Sequence, residues 1–416
     1  MSTPHRIAIL HYAAPPIIGG VESTIFHHAN ILSDLGIKVE IIAGRVEPFN
    51  HNVEFHRIPE VDTLNTRVQG ISKELAQGHI SPEFTALREI LVDKLLPILS
   101  NCDVCIVHNA LSLHFNLALT AALRVINDRN VTPIIAWNHD FAWHDKLYIP
   151  DLHPGYPWDL LRSAWPGVRY VVVSKHRRLR LAQLLDIPER DIEVFTPGVD
   201  VFKFLNCQSL TIDLVEKLDL LAAAPLMLLP ARIIPRKNIQ FAIRVTAAMK
   251  EHLPGATLVV TGPPGPHNPK NVTYLESLQE LRDEHELDRN ICFLYEHGEA
   301  GKPQFLPDEV VADFFRLADL LIFPSFREGF GIPVLEAGLV HLPVFASNIP
   351  PVRESAAEYA HLFDPSGDPQ DAAGSILNYL EMNASYHLKR RVLDNYTWKA
   401  IIEQKIIPFI SKAKVA

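Results

Sequence analysis

Cysteine is scarce in this chain: four residues in 416, scattered as Cys102, Cys105, Cys207 and Cys292. Cys102 and Cys105 carry the two-residue gap of a metal knuckle, yet they flank an apolar strand and no second pair completes a site. They read as core residues. Long apolar runs are also missing. None reaches the ~18 residues that a membrane span needs, and the N-terminus enters a strand directly, so no signal peptide is expected. Positive charge is in deficit, with 39 Lys and Arg against 48 Asp and Glu for a net charge of −9. The surface is therefore no electrostatic trap for nucleic acid, and no basic nucleic-acid motif appears. The dinucleotide fingerprint G-x-G-x-x-G is absent, as is any D-x-D-like acidic cluster at a strand end. These absences lead to the expectation of a soluble cytoplasmic protein without nucleic acid, bound cofactor or metal.

What is present is ordinary globular composition, 48% hydrophobic and 21% charged, in a chain long enough for two domains. Short apolar runs at 6–11, 39–43, 104–107, 133–137, 170–173 and 191–195 alternate with helical patterns, as in a buried parallel sheet. The pattern restarts at 226–230 and continues through 257–260, 291–294, 320–323 and 346–348. The fold class expected is α/β, with two Rossmann-like doubly wound sheets. The boundaries drawn are a first domain over 1–205, a linker over 206–222 and a second domain over 223–389, with a helical segment over 390–416 returning to the first. Three strand ends in the first half carry an imidazole, His11, His108 and His139, and the ligand crevice of such sheets lies beyond the strands' carboxyl ends.

The most informative stretch is Glu328-Gly329-Phe330-Gly331-Ile332-Pro333-Val334-Leu335-Glu336. It follows an apolar strand closed by Pro324-Ser325 and runs into a helical segment. A strand, a glycine turn and a helix aim backbone N–H groups at an anion. A carboxylate repels phosphate but accepts hydrogen bonds from sugar hydroxyls, so two glutamates eight positions apart suggest a ligand with hydroxyls at both ends and phosphate between. That describes a nucleotide-sugar. The structural alternative is a tight turn followed by helix-terminal charges.

Two further stretches leave alternatives open. Four of the five tryptophans (Trp137, Trp143, Trp158, Trp165) fall between 137 and 165, either as a hydrophobic cluster under a long loop or as a stacking platform for a sugar. Lys175-His176-Arg177-Arg178-Leu179-Arg180-Leu181 is a basic amphipathic helix, a solvated face or a contact to phosphate or a membrane surface.

Taken together, Gly19-Gly20-Val21-Glu22, Arg232 with Lys237-Asn238, Pro324-Ser325 and Glu328-x₇-Glu336 resemble the retaining GT-B glycosyltransferases of family 4, the group that includes sucrose-phosphate synthases and phosphatidylinositol mannosyltransferases. The resemblance covers roughly residues 6–365. It implies two Rossmann-like domains facing a cleft, a nucleotide-diphosphate hexose donor linked to UDP or GDP, and transfer that keeps the anomeric configuration without a required metal. By the same likeness Arg232 and Lys237 hold the departing diphosphate, Glu328 binds the donor sugar beside the N–H groups of Phe330 and Gly331, and Glu336 binds the ribose. His139 stands at the reaction centre. Gly19, Gly20, Thr261, Gly262, Leu294, Ile332 and Leu335 complete the donor contacts, while His108, Asn109, Trp143, His144 and Tyr148 fall on the acceptor side.

The chain departs from the pattern in two places. Ala231 stands where the family has glycine before the arginine, and the stretch 294–307, where a base would be held, is long. The acceptor expected is a small carbohydrate-like molecule or a lipid-linked one, with the basic helix leaving room for contact with the inner membrane face. Arg232 and Lys237 also fit a sugar phosphorylase, with inorganic phosphate where the diphosphate would sit, although Glu336 favours the transferase. A non-catalytic nucleotide-sugar-binding relative is the third alternative, against which the intact Glu328, Arg232, Lys237 and His139 argue.

Overall fold

The computed structural model describes residues 4–266, 268–298 and 302–411. The chain divides into two compact units: residues up to Val199 together with those from Tyr396 onward, and Asp200–Asn395. Each is built on its own parallel sheet.

The first unit holds seven strands: β1 (Arg6–Ala13), β2 (Lys38–Arg45), β3 (Val53–Arg57), β4 (Val104–His108), β5 (Ile134–Asn138), β6 (Arg169–Val172) and β7 (Ile192–Val194). Their order is β3-β2-β1-β4-β5-β6-β7, every pair parallel. Because successive residues of a strand point to opposite faces, β1 and β4 feed two cores. Ala8, Leu10, Cys105 and Val107 pack on one side, while Ile7, Ile9, Val104 and Ile106 pack on the other. Strands buried on both faces must read as unbroken apolar runs, which is why the alternation with helices was legible.

The second unit repeats the scheme with β8 (Leu226–Leu229), β9 (Thr257–Val260), β10 (Ile291–Phe293), β11 (Leu320–Phe323), β12 (Val344–Ser347) and β13 (His361–Phe363), in the order β10-β9-β8-β11-β12-β13. Met227, Leu229, Leu258 and Ile322 face one core, and Leu228, Val259, Leu321 and Phe323 the other. In both sheets the chain reverses its direction of winding at the first strand, so a topological switch point lies between β1 and β4 and another between β8 and β11. Ligands of open α/β sheets bind at such points.

The boundaries differ from those drawn on sequence. The segment 206–222 is no linker: helix Ser209–Lys217 buries Leu214 and Val215 in the core of the second unit, and Leu220 joins them. Helix Ala384–Asn395 also belongs to the second unit. Only the part beyond it returns to the first. Val199 N–H donates to Tyr396 O at 2.7 Å, and Trp398 stacks on His27 at 4.9 Å between centroids. A Cβ at Gly198 would lie 2.6 Å from the Trp398 ring, so this crossing admits only glycine without rearrangement. Ile401, Ile402, Ile406 and Ile410 then cover the face lined by Ile7 and Ile9. Each such side chain contributes roughly 1.5–3 kcal/mol relative to exposure. The expected helix over 390–416 is thus divided between units, and 412–416 lie outside the described residues.

Candidate functional site

In the second unit three strand ends converge on one place. After β8 the chain passes through Ala231 and the exposed Arg232. Thr261 and Gly262 follow β9. A Cβ on Gly262 would meet Ala231 O at 2.3 Å and Arg232 N at 2.6 Å, so the two loops touch backbone to backbone there. The contact continues as Ile233 N–H donates to Pro263 O at 2.9 Å. Glycine at 262 therefore sets where Arg232 emerges.

Past Arg232 a turn of 3₁₀ helix, Pro235–Lys237, ends at Asn238, which has φ +53° and opens helix Ile239–Lys250. The turn aims two cations at the segment after β11. Lys237 Nζ lies 2.6 Å from Glu328 Oε1, and Arg236 Nη1 lies 3.4 Å from Glu328 Oε2 and donates to Arg327 O at 3.0 Å. Residues 91 positions apart are thus joined. Lys237 and Glu328 are both largely buried; a lone charge there would be strongly disfavoured, and the pairing offsets part of that penalty. Arg232 makes no ion pair with any described residue, so its charge is available.

The glutamate pair sits as its spacing suggests. Gly331, at φ +94° and ψ 48°, is the N-cap of helix Ile332–Leu339, a left-handed position that glycine takes without strain. Glu328 precedes the turn and Glu336 stands exposed on the helix, with Phe330, Ile332 and Leu335 also exposed. Leu294 is different: its side chain is fully buried in the core, leaving only backbone for a ligand. Within the 294–307 stretch, residues 299–301 lie outside the described residues.

In the first unit the strand ends carry histidines, as expected, but their roles separate. His139 is half-buried beyond β5. His108, at the end of β4, is fully buried with its Nδ1 3.2 Å from His139 Nε2. Asn109 is also buried, at φ +57°, and its Oδ1 accepts from the His139 N–H at 2.8 Å. His108 and Asn109 therefore support His139 rather than line an acceptor surface. Burial holds His139 down to about 4, with Arg177 adding to the effect, and holds His11 down to about 4. These imidazoles are neutral near pH 7.

Gly19 and Gly20 open helix Gly20–Asp34. Gly19 is extended at φ −174° and a Cβ there would meet the carboxylate end of the Glu22 side chain, whereas a Cβ on Gly20 would meet nothing within 4 Å. Gly20 therefore has open space around it, and Gly19 is constrained only by a flexible side chain. The aromatic segment is mainly core: Trp137, Trp158 and Trp165 are buried. Trp143 is covered by Arg162, 4.2 Å from its centroid, and donates to Trp158 O at 3.3 Å. Tyr148 packs on His114 and Phe115, and His144 Nδ1 accepts from Arg180 Nε at 3.3 Å. The stacking platform is not formed by these rings.

One group of described residues has the makings of a cation site, Glu40, Glu54 and His56 on β2 and β3. Arg6 already holds Glu40 at 2.8 Å and His56 holds it at 3.0 Å, and Glu40, the third residue of β2, lies toward the amino end of its strand and away from the switch point.

Comparison with known families accounts for nearly all of the chain. The profile described as Glycosyltransferase Family 4 matches residues 18–202, and that described as Glycosyl transferases group 1 matches 214–398. The chain belongs to the family 4 glycosyltransferases. Among its relatives, mannosylglucosylglycerate synthase of Petrotoga mobilis is 24% identical over 85% of this chain and 84% of its own. D-inositol 3-phosphate glycosyltransferase of Nocardia farcinica is 26% identical over 90% and 82%. The serotype-specific mannosyltransferase WbdA of Escherichia coli is 28% identical over 54% of this chain. The chain spans about a quarter of the length of the WbdA proteins, 26% in that case. No described helix is long and apolar enough to cross a membrane.

One residue of this candidate site escaped sequence reasoning. Arg236 is adjacent to Lys237 and shares its carboxylate. The adjacency was visible, but two neighbouring cations reach one target only because the 3₁₀ turn brings both onto the same side.

Proposed function

We propose that the protein transfers a hexose from a nucleotide-diphosphate sugar, UDP- or GDP-linked, to an acceptor hydroxyl with retention of anomeric configuration. The observation that carries this reading is the Lys237–Glu328 contact, 2.6 Å across two strand ends beside the switch point of the second unit. It puts a cation suited to a leaving phosphate next to a carboxylate suited to sugar hydroxyls.

Breaking a sugar–phosphate bond builds negative charge on the phosphate, and fixed cations at that position lower the barrier by several kcal/mol. Lys237 spends one of its N–H donors on Glu328 and keeps the others for phosphate. Arg232 contributes a planar fork. These two supply charge stabilisation that could otherwise fall to a divalent ion, so the step proceeds without one. Glu328, oriented by Lys237 and Arg236, accepts from sugar hydroxyls, and Glu336 accepts from the ribose. The departing phosphate takes the acceptor's proton in a front-side displacement, and His139 is a sugar contact. Relatives include an inositol-phosphate glycosyltransferase and mannosyltransferases, which favours a small polyol or sugar acceptor.

The test is release of nucleoside diphosphate from a panel of UDP- and GDP-sugars with candidate sugar and polyol acceptors, with and without EDTA. Turnover should survive EDTA, the product should keep the donor's anomeric configuration by NMR, and Lys237→Ala or Arg232→Ala should slow turnover by ~100-fold or more. An inverted product, loss of activity in EDTA or near-normal turnover of both variants would contradict the corresponding part of the proposal. Phosphate-dependent cleavage of a sugar substrate would instead assign a phosphorylase.

A further inference from the structure

His139 does not stand alone in the first unit. Four imidazoles occupy consecutive positions at the carboxyl end of the sheet: His11 on β1, His28 on helix Gly20–Asp34, His108 on β4 and His139 beyond β5. The rings of His108 and His139 are 5.5 Å apart, those of His28 and His108 6.0 Å, and those of His11 and His108 6.3 Å. His108 is buried among them and reaches no ligand itself. Its ring meets His139 through Nδ1 and Nε2 at 3.2 Å.

Two neutral imidazoles in that contact must divide the roles, since one nitrogen donates and the other accepts. If His108 donates, its proton is on Nδ1, its Nε2 is bare, and His139 carries its own proton on Nδ1. If His139 donates, His108 must hold its proton on Nε2. The surroundings discriminate. His108 Nε2 is buried with no hydrogen-bond partner, and so is Nε1 of Trp137, whose ring is 5.6 Å from that of His108. The indole nitrogen is a donor under any condition. A proton on His108 Nε2 would add a further orphaned N–H beside those of Trp137 and His28 in the same dry region, and buried N–H groups without acceptors are rare. A bare Nε2 adds no orphaned donor there.

The rest of the frame is fixed. His11 Nδ1 donates to the carbonyl of His108 at 3.0 Å, and Asn109 Oδ1 holds the backbone of His139 at 2.8 Å. Resting on the reading that His139 contacts the sugar, we propose that His108 is a positioning residue that locks His139 in the tautomer protonated on Nδ1, so that His139 meets the substrate as a hydrogen-bond donor and not as a base. A donor at that nitrogen suits a sugar hydroxyl, and it is consistent with a mechanism in which the leaving phosphate, not the protein, takes the acceptor's proton.

The groups facing the pair are His11 from β1, His28 from helix Gly20–Asp34, and Arg177 from helix Lys175–Leu185, itself bound to Asp140 at 2.7 Å. Burial lowers His28 and His108 as well as His139. Accepting from His108 at Nε2 further favours the neutral form of His139.

The deciding experiment is long-range ¹H–¹⁵N correlation NMR on the full chain labelled with ¹⁵N-histidine, near neutral pH, which reads the tautomer of each ring. His139 and His108 should both show a protonated Nδ1 and a bare Nε2. His108→Asn keeps a donor where Nδ1 stood, so it should preserve the His139 tautomer and near-normal turnover. His108→Phe keeps the ring volume without the donor. It should release the lock, so that His139 divides between the two tautomers, raise its titration midpoint from about 4, and lower kcat several-fold with little change in KM for the donor. A wild-type His139 protonated on Nε2, or an unchanged tautomer in His108→Phe, overturns the proposal. The wild-type spectrum decides even where the Phe variant does not fold. It is also independent of whether any sugar donor is turned over, so failure of the transferase reading is seen separately.

Discussion

At the scale of single residues, the site depends on backbone positions as much as on charged side chains. Asn109, Asn238 and Gly331 all adopt left-handed conformations at turns that aim His139, Lys237 and the Glu328–Glu336 pair. Another positive-φ position lies outside the left-handed well and is filled by alanine. Ala357, after helix Pro350–Ala356, sits at φ +47° and ψ −130°, a combination that costs an alanine roughly 1–3 kcal/mol and a glycine little. Glycine also has more unfolded-state entropy to lose. Strain relief is the larger effect, so Ala357→Gly should raise stability by about 1 kcal/mol in urea unfolding. A lower midpoint would show that contacts of the Ala357 methyl outweigh the strain.

At the scale of elements, the loops after β8 and β9 act as one device. Arg232 is held where it is because Gly262 lets the two backbones meet, and no shift of a flexible side chain could make room for a Cβ 2.3 Å from a carbonyl oxygen. Gly262→Ala should therefore move the Arg232 loop, costing on the order of 2 kcal/mol in stability and slowing turnover more than it weakens nucleotide binding. Unchanged turnover would separate this loop from the chemistry. What was legible in the sequence follows the same physics. Central strands are buried on both faces and must be continuously apolar, so β1, β4, β8 and β11 were visible, and with them the strand ends that carry the site. The edge strands β3 and β13, Val53–Arg57 and His361–Phe363, have exposed or half-buried residues and no apolar run to betray them. Helix Ser209–Lys217 lacks strand character, which made it read as a connection, although Leu214 and Val215 are core. Likewise the histidines at strand ends were legible as a group, but not their division of labour. Whether an imidazole at a strand end faces ligand or supports its neighbour depends on burial that only the packed sheet decides.

Across the whole molecule the two units differ in how they carry ionisable groups. Of the seven histidines held below their ordinary range, six (His11, His28, His108, His114, His139 and His144) are in the first unit, and the second has His297. A histidine whose folded value is lowered leaves the native state binding fewer protons than the unfolded chain below pH 6.5. Stability is then lost as pH falls from 6.5 toward the folded values near 4 for His11 and His139 and near 3 for His28. The slope is about 1.4 kcal/mol per pH unit for each buried imidazole. Acidification through this window should therefore open the first unit before the second. Hydrogen exchange mapped at pH 7 and pH 5 should show protection lost first in β1, β4 and β5, and simultaneous loss in both units would remove the histidine cluster as the cause.

The central claim is that the second unit is built to hold a nucleoside diphosphate sugar, and the most direct measurement is a thermal-shift series with UDP, GDP, ADP and their sugar conjugates. A ligand that binds only the native state adds about 2.7 kcal/mol at 100 times its Kd, an easily read displacement. One nucleoside diphosphate, with its sugar conjugate, should raise Tm in the wild-type protein, and Lys237→Ala should abolish or sharply reduce the rise. No shift with any of them, or an undiminished shift in Lys237→Ala, would contradict the account.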